Sequence, residues 1–335
     1  NLSLVKFLLF LVENKLNIIK NYLPVLITGG TGMLGINLIE KLVAIGIKPN
    51  VIYRDKKKLQ PFLPIKNKVN FIKLDLFDQK KIDKIVKKIK PKTIFHLASS
   101  YFNPPDLDLN DHINSNVVIT LNLLLALKDN NTKNFIYTNT SAIYESGSNI
   151  KEKSKIKCMS EYALSKNITS ELIQKFSLDY KFFYKELRLF SIYGKWEKKH
   201  RLVCGAILKA IQKKKYKILS SDQIRDYLNV EDVINAILLC TNIKKNLLLN
   251  ICSGKEQKTH NLVKKVFKIL DCKTSLVLIK KDKKKSSTLA TIVGNNNKAI
   301  MNLKWKPLIS IDTGLKSTIE WLKTNKNVSR YLNYE

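Results

Sequence analysis

The sequence predicts an α/β fold: a doubly wound parallel sheet with a smaller C-terminal α/β lobe. Three observations predict it. From Pro24 onward, apolar runs of strand length alternate with longer amphipathic segments. The first of these runs passes directly into a glycine-rich turn and then a helix-patterned segment. The chain has 335 residues, more than the roughly 250–300 that a single hydrophobic core usually organises. The expected division is residues 1–23 as an N-terminal extension, 24–189 as the sheet domain and 190–335 as the smaller lobe, interleaved with the first.

The opening stretch, "NLSLVKFLLFLVENKLNIIKNYL", is apolar but is interrupted by Lys6 and followed by no small-residue cleavage site. It is also too short for a stable membrane span. An extra helix or an upstream extension is expected there rather than an export signal. The first strand is "VLIT", 25–28, and it runs into "TGGTGMLG", which places Gly29, Gly32 and Gly35 at GxxGxxG spacing before "INLIEKLVAIG". Such a turn brings bare backbone up to a pyrophosphate and sets it at a helix N-terminus, where N–H groups and the helix dipole favour negative charge. This makes residues 24–189 a Rossmann-like NAD(P)-binding domain, with Thr31, Met33 and Leu34 of the same turn in the expected cofactor site.

The helix pattern over 33–45 leads to the second strand, "NVIYR", 50–54, and to Asp55, twenty positions after Gly35. An acidic side chain there accepts hydrogen bonds from an adenosine ribose, whereas Arg54 beside it suits a 2′-phosphate, so NAD and NADP both remain open. The third strand, "VNFIKL", 69–74, delivers Asp75 and Leu76 to the adenine end, although Asp75 also suits a plain turn. After a helix pattern at 78–90, the fourth strand, "TIFHLA", 93–98, adds Leu97 and Ala98 to the expected cofactor contacts. A helix over 112–129 and the strand "NFIYTNT", 134–140, complete the first half, and a further helix is expected over 160–179.

Thr140 ends that last strand at the carboxyl edge of the sheet, where doubly wound folds bind ligands. Twenty-two residues later "SEYALSKN" places Tyr162 four positions before Lys166, on one helix face. Hydroxyl, phenol and ammonium beside a nicotinamide form a proton-transfer set. Free tyrosine titrates near ~10, and a nearby cation stabilises the phenolate, the part expected of Lys166.

In order along residues 24–325, "TGGTGMLG", "LDLFD", "IFHLAS", "NVVITLNLL", "TNTSAIYE", "YALSK", "LRLFSIYG", "RDYLNVEDV", "LNICSGK" and "LKWKPLISIDTGLKSTIEWL" resemble the extended short-chain dehydrogenases/reductases. Within them, the chain is similar to the NAD-dependent epimerase/dehydratase group that acts on nucleotide sugars. The resemblance implies Thr140 as the catalytic Ser/Thr, Tyr162 as general acid/base and Lys166 as its partner. It implies Asn116 beside the nicotinamide, and Arg225 of "RDY" on the substrate diphosphate. Ser191 stands where an asparagine often approaches the phosphate. It also implies a homodimer built from the helix carrying Tyr162 and the one near 112–129.

Two departures carry information. The family's "YG" is "YE" here, Tyr144 and Glu145, so that turn must avoid a backbone conformation reserved for glycine. The 4,6-dehydratases carry an Asp–Glu pair after the catalytic Thr, but Ser141 and Ala142 follow Thr140, and elimination lacks its acid and base. Epimerase or 4-ketoreductase is therefore the expected activity, with the dehydratase as alternative.

The formal charge of +33 raises a nucleic-acid reading. Only five of the 60 basic residues are arginines, the fork that phosphate readers favour, and lysines are spread evenly, so no nucleic-acid partner is expected. A non-catalytic NAD(P)-sensing or RNA-associated protein of the same fold is the reading from another class, and the retained Tyr162 and Lys166 oppose it. The five cysteines form no CxxC pair and no cluster with the four scattered histidines. No metal site and no disulfide framework is expected, and a reducing cytoplasm fits.

Overall fold

The computed structural model describes residues 17–100, 107–218, 223–279 and 291–324. The main sheet contains seven strands: β1 (Val25–Thr28), β2 (Asn50–Tyr53), β3 (Asn70–Lys73), β4 (Thr93–His96), β5 (Asn134–Thr140), β6 (Phe183–Leu189) and β7 (Leu247–Ile251). Their order is β7-β6-β5-β4-β1-β2-β3, parallel throughout. Winding reverses between β1 and β4, and at that switch point a crevice opens at the carboxyl edge.

Both sheet faces are covered, which is why the strands read as unbroken apolar runs. Along β1, Val25 and Ile27 enter one core cluster while Leu26 enters the other. Helix α1 (Met33–Ala44) lies on the first face, packed against a helix over Val230–Leu239. The second face carries α2 (Gln79–Ile89), a helical segment α3 over residues 109–125, and α4 (Glu161–Tyr180). The middle of α3, Ile113–Val118, is wound as a π-helix, a form frequent at functional sites.

The expected boundary near residue 190 is crossed in both directions. Leu247–Ile251 of the second half closes the main sheet, while Gly147–Ile150 of the first half joins the smaller sheet with Ile224–Arg225, Gln257–Lys258 and Thr291–Gly294. Two buried carboxylates hold that lobe. Asp226 accepts from the backbone N–H groups of Ser253, Gly254 and Gly294 at 2.7, 2.9 and 3.2 Å. Asp232 accepts from Leu308 and Ile309, both at 3.1 Å, and its carbonyl accepts the Trp305 indole at 3.0 Å.

Of the N-terminal extension, Asn17–Tyr22 forms a 3₁₀ turn that buries Ile19 in the core; residues 1–16 lie outside the described residues. The lysine run at 280–285 lies outside them as well. No helix of the described residues is long and apolar enough to cross a membrane.

Candidate active site

The glycine turn forms the floor of the crevice. Gly29 has φ +67°, and a Cβ there would lie 2.4 Å from the backbone of Leu97 and Ala98, so the turn after β1 and the end of β4 touch only because Gly29 is bare. Gly35 presses the first turn of α1 onto Gly29 and Gly30, where a Cβ would meet the Gly29 carbonyl at 2.4 Å. Gly32 is different: it is the N-cap of α1 at φ −86°, no side chain caps the helix, and a Cβ would meet its nearest neighbour only at 3.4 Å. That surface is open toward a ligand. Thr31, Met33 and Leu34 are half-buried around it. This cradle fits a dinucleotide pyrophosphate.

Arg54 and Asp55 are exposed at the end of β2. Asp55 caps the next 3₁₀ segment, its carboxylate accepting from the Lys57 N–H at 2.9 Å. Asp75 is likewise a turn residue that accepts from the Phe77 N–H at 3.1 Å. Leu76 is buried, and its carbonyl accepts from the Asn122 amide at 3.0 Å.

The structure brings Thr140, Tyr162 and Lys166 together at the carboxyl edge. Tyr162 lies on the first turn of α4, which Ser160 caps, and the hydroxyls of Ser99 and Thr140 stand near its own. Burial pushes its phenol above the ordinary value, opposed by Ser99, by the charge of Arg201 and by Thr140. Lys166, expected to act on the Tyr162 phenol, has its ammonium turned to the backbone of β5. The ammonium donates to the Thr138 carbonyl at 2.7 Å and sits 4.2 Å from the centre of the Tyr137 ring. With that ammonium inside the core, burial lowers Lys166 to about 7, and Glu186 opposes the shift.

Asn116, 1% exposed, sits in the π-wound part of α3. Its amide oxygen accepts from Ser99 Oγ and the Ser100 N–H, both at 2.9 Å, and its amide nitrogen donates to Ser100 Oγ at 2.9 Å and Ser165 Oγ at 2.8 Å. With these four bonds Asn116 clamps the loop after β4 to α4, and so places Ser99 against Tyr162. Below it, His96 bridges Thr28 and Thr120, 2.7 Å on each side, and burial lowers its imidazole to about 3, so it stays neutral.

Four residues escaped the sequence reading. Ser99 and the charge of Arg201 both lower the Tyr162 phenol, and His112 packs edge-on against its ring with centroids 5.8 Å apart while sharing a 2.8 Å hydrogen bond with Ser100. Glu186 is the fourth. Spacing could not have revealed them, because each reaches Tyr162 or Lys166 across the fold. Tyr144–Glu145 takes no positive φ, and Glu145 instead holds Lys155 and Lys157, each at 3.3 Å. Ser141 and Ala142 follow Thr140 as a short turn, Thr140 Oγ accepting from the Ala142 N–H at 3.1 Å.

Arg225, expected on the substrate diphosphate, is half-buried and donates to the Ile224 carbonyl at 3.0 Å; burial lowers its guanidinium, and Tyr227 opposes that. Ser191 lies on the strand Ser191–Tyr193, bonded through its N–H to the Asp226 carbonyl at 2.9 Å. Among the described residues no cluster of His, Cys, Asp and Glu could hold a metal ion.

A family model, the NAD dependent epimerase/dehydratase family, matches residues 25–252. A putative UDP-glucose 4-epimerase of Methanocaldococcus jannaschii is 26% identical over 90% of this chain and 99% of its own length. A dTDP-glucose 4,6-dehydratase of Haemophilus influenzae is 24% identical over 91% of this chain and 99% of its own. Among solved structures, an epimerase of Methanothermobacter thermautotrophicus superposes with a TM-score of 0.85, covering 95% of this chain and 97% of that one at 19% identity. The chain belongs to the NAD-dependent epimerase/dehydratase family, an extended short-chain dehydrogenase/reductase fold.

Proposed function

We propose that this protein is an NAD(P)-dependent nucleotide-sugar epimerase or 4-ketoreductase. The observation that carries the reading is the gathering of Thr140, Ser99 and Tyr162, with the buried Lys166 one helical turn along α4, at the edge of the sheet where the glycine turn follows β1. NAD(P), when bound, supplies the hydride acceptor and donor at a sugar carbon. Gly29, Gly32 and Gly35 with the N-terminus of α1 would hold its pyrophosphate, and Asp55 its ribose. Arg54 is the residue that would admit a 2′-phosphate.

Tyr162 removes the proton from the reacting hydroxyl, or returns it to the carbonyl, while Thr140 orients that oxygen. A phenol raised by burial needs positive charge nearby to act as a base, and Arg201 and Lys166 are the cations available. Arg225 and Ser191 are assigned to the substrate diphosphate. The smaller lobe, 190–335, is assigned to the nucleotide sugar.

Ser141 and Ala142 favour this reading over 4,6-dehydration, since neither can protonate a leaving hydroxyl or remove a carbon-bound proton. The curated relatives include both epimerases and dehydratases. The test is a panel of UDP-, GDP- and dTDP-sugars and their 4-keto-6-deoxy derivatives, read by cofactor absorbance and product NMR. Inversion without net cofactor change identifies the epimerase, and stoichiometric oxidation of reduced cofactor identifies the ketoreductase. A 4-keto-6-deoxy product would overturn both.

A homodimer through α3 and α4 is part of the proposal. Leu125, Leu164, Ile168 and Leu178 of these two helices are exposed, Leu178 to 71%, which suits a surface covered by a second copy. All five cysteines are free thiols, which supports a cytoplasmic setting.

A further inference from the structure

Strand β6 carries Lys185, Glu186 and Arg188 into the interior, and none is more than 3% exposed. A buried ion pair is often no more stabilising than apolar residues of the same size, so its placement calls for another explanation. Glu186 accepts from Arg188 Nε at 2.8 Å, from the Asn139 amide at 2.8 Å and from the Ser170 hydroxyl. These partners lie on three elements, β6, β5 and α4. Because the Asn139 amide nitrogen is turned to Glu186, its oxygen is turned to Thr140, whose N–H it accepts at 2.8 Å. Ser170 lies one helical turn beyond Lys166, on the same face of α4. Arg188 continues outward to the Tyr144 hydroxyl at 2.8 Å and the Glu152 carbonyl at 3.1 Å.

We propose that Glu186 is a positioning residue for this site, fixing Thr140 through Asn139 and supplying the negative charge that favours the ammonium form of Lys166. The assignment rests on the catalytic reading of Thr140, Tyr162 and Lys166 given above. Four titratable groups surround Lys166: His96 on β4, Tyr137 on β5, Glu186 on β6 and Tyr162 on its own helix. His96 stays neutral and burial holds the Tyr137 phenol far above its ordinary value, so Glu186 is the one anion of the set.

The test is Glu186→Gln, which keeps the shape and the acceptor for Asn139 but removes the charge. Purified wild type must first bind NADH and turn over a sugar nucleotide of the panel; failure there overturns the catalytic reading and this inference with it. In an active enzyme, the alkaline limb of the kcat/KM profile, which reports free-enzyme groups, is expected to move to lower pH in Glu186→Gln. The expected shift is about one unit, the low end of what a nearby opposite charge produces. Glu186→Asp should restore part of it. A limb that coincides with the wild type's, with only the amplitude reduced, would show a purely structural role and overturn the inference. If the unpaired Arg188 prevents folding, Glu186→Gln/Arg188→Met removes both charges and is read by the same criterion.

Discussion

Gly32 and Gly35 stand three residues apart in the same turn, and replacing each by alanine separates the ligand cradle from the packing that builds it. In Gly35→Ala the new methyl would lie 2.4 Å from the Gly29 carbonyl oxygen and 2.5 and 2.6 Å from the Cα and C of Gly30. All three are backbone atoms, so the turn must move away from α1. Overpacking of this kind costs about 1–3 kcal/mol, of which alanine's better helix propensity returns up to about 1 kcal/mol. The expected net loss of ~1–2 kcal/mol lowers Tm by several degrees, at roughly 2–4 °C per kcal/mol for large domains. Cofactor binding falls with it, because the displaced turn is the cradle. In Gly32→Ala the backbone is unstrained at φ −86° and the nearest atom lies 3.4 Å away, so Tm should stay within about a degree of wild type. The methyl occupies the pyrophosphate's approach, and Kd for NADH is expected to rise about tenfold, or ~1.4 kcal/mol. Scanning calorimetry and NADH fluorescence titration read both quantities. Gly32→Ala binding as tightly as wild type, together with an unshifted Gly35→Ala, would refute the cradle.

Tyr162→Phe should keep cofactor affinity while turnover drops by about 10²–10⁴-fold, the worth of one positioned proton donor, and unchanged turnover would remove the mechanism. Leu178→Lys places a charge at the most exposed apolar position of α4 and should convert a dimer to monomer in sedimentation equilibrium; a protein that is monomeric before mutation would rule out the proposed interface. Stability should rise between about pH 7 and 9, because burial lowers both Lys166 and Lys185 to about 7 from an unfolded 10.5. In that window the unfolded chain binds up to two more protons, a slope of at most ~2.7 kcal/mol per pH unit. Below it, Glu197, raised to about 7, and Asp232, raised to about 6, oppose the trend; above it the buried thiols of Cys240 and Cys252, raised by burial, reverse it. Urea midpoints at the two ends of the window test this, and Lys185→Met should halve the slope.

Where apolar pattern and local spacing carry the information, the chain reads plainly from sequence. Strands β1 to β5 and helices α1, α2 and α4 lie within a residue or two of the expected spans, because two-sided burial demands continuous apolar runs and the glycine turn marks its own place. The expected helix over 112–129 begins earlier and ends sooner, with a capping box at Asp108 and a π-wound stretch that the 3.6-residue period does not reveal. β6 escaped the reading of apolar runs for a more instructive reason. "FYKELRL" contains three charged residues in seven and looks like a surface segment, yet all three are buried and partnered across the fold. Periodicity registers which residues avoid water, and it cannot register a charge that avoids water by finding Asn134, Asn139, Ser170 or Tyr144 at a distance of many residues. The same limit hid His112, which packs on the Tyr162 ring, and Ser99 and Arg201, which act on its phenol. The motif residues therefore name the chemistry, while the groups that set its protonation lie in strands and loops where sequence offers no local sign. In this chain the departure of β6 from an apolar pattern is itself that sign: a strand in the middle of the sheet, flanked by β5 and β7, that keeps a carboxylate must satisfy it, and the donors it recruits lead to Thr140 and to the face of α4 that carries Lys166.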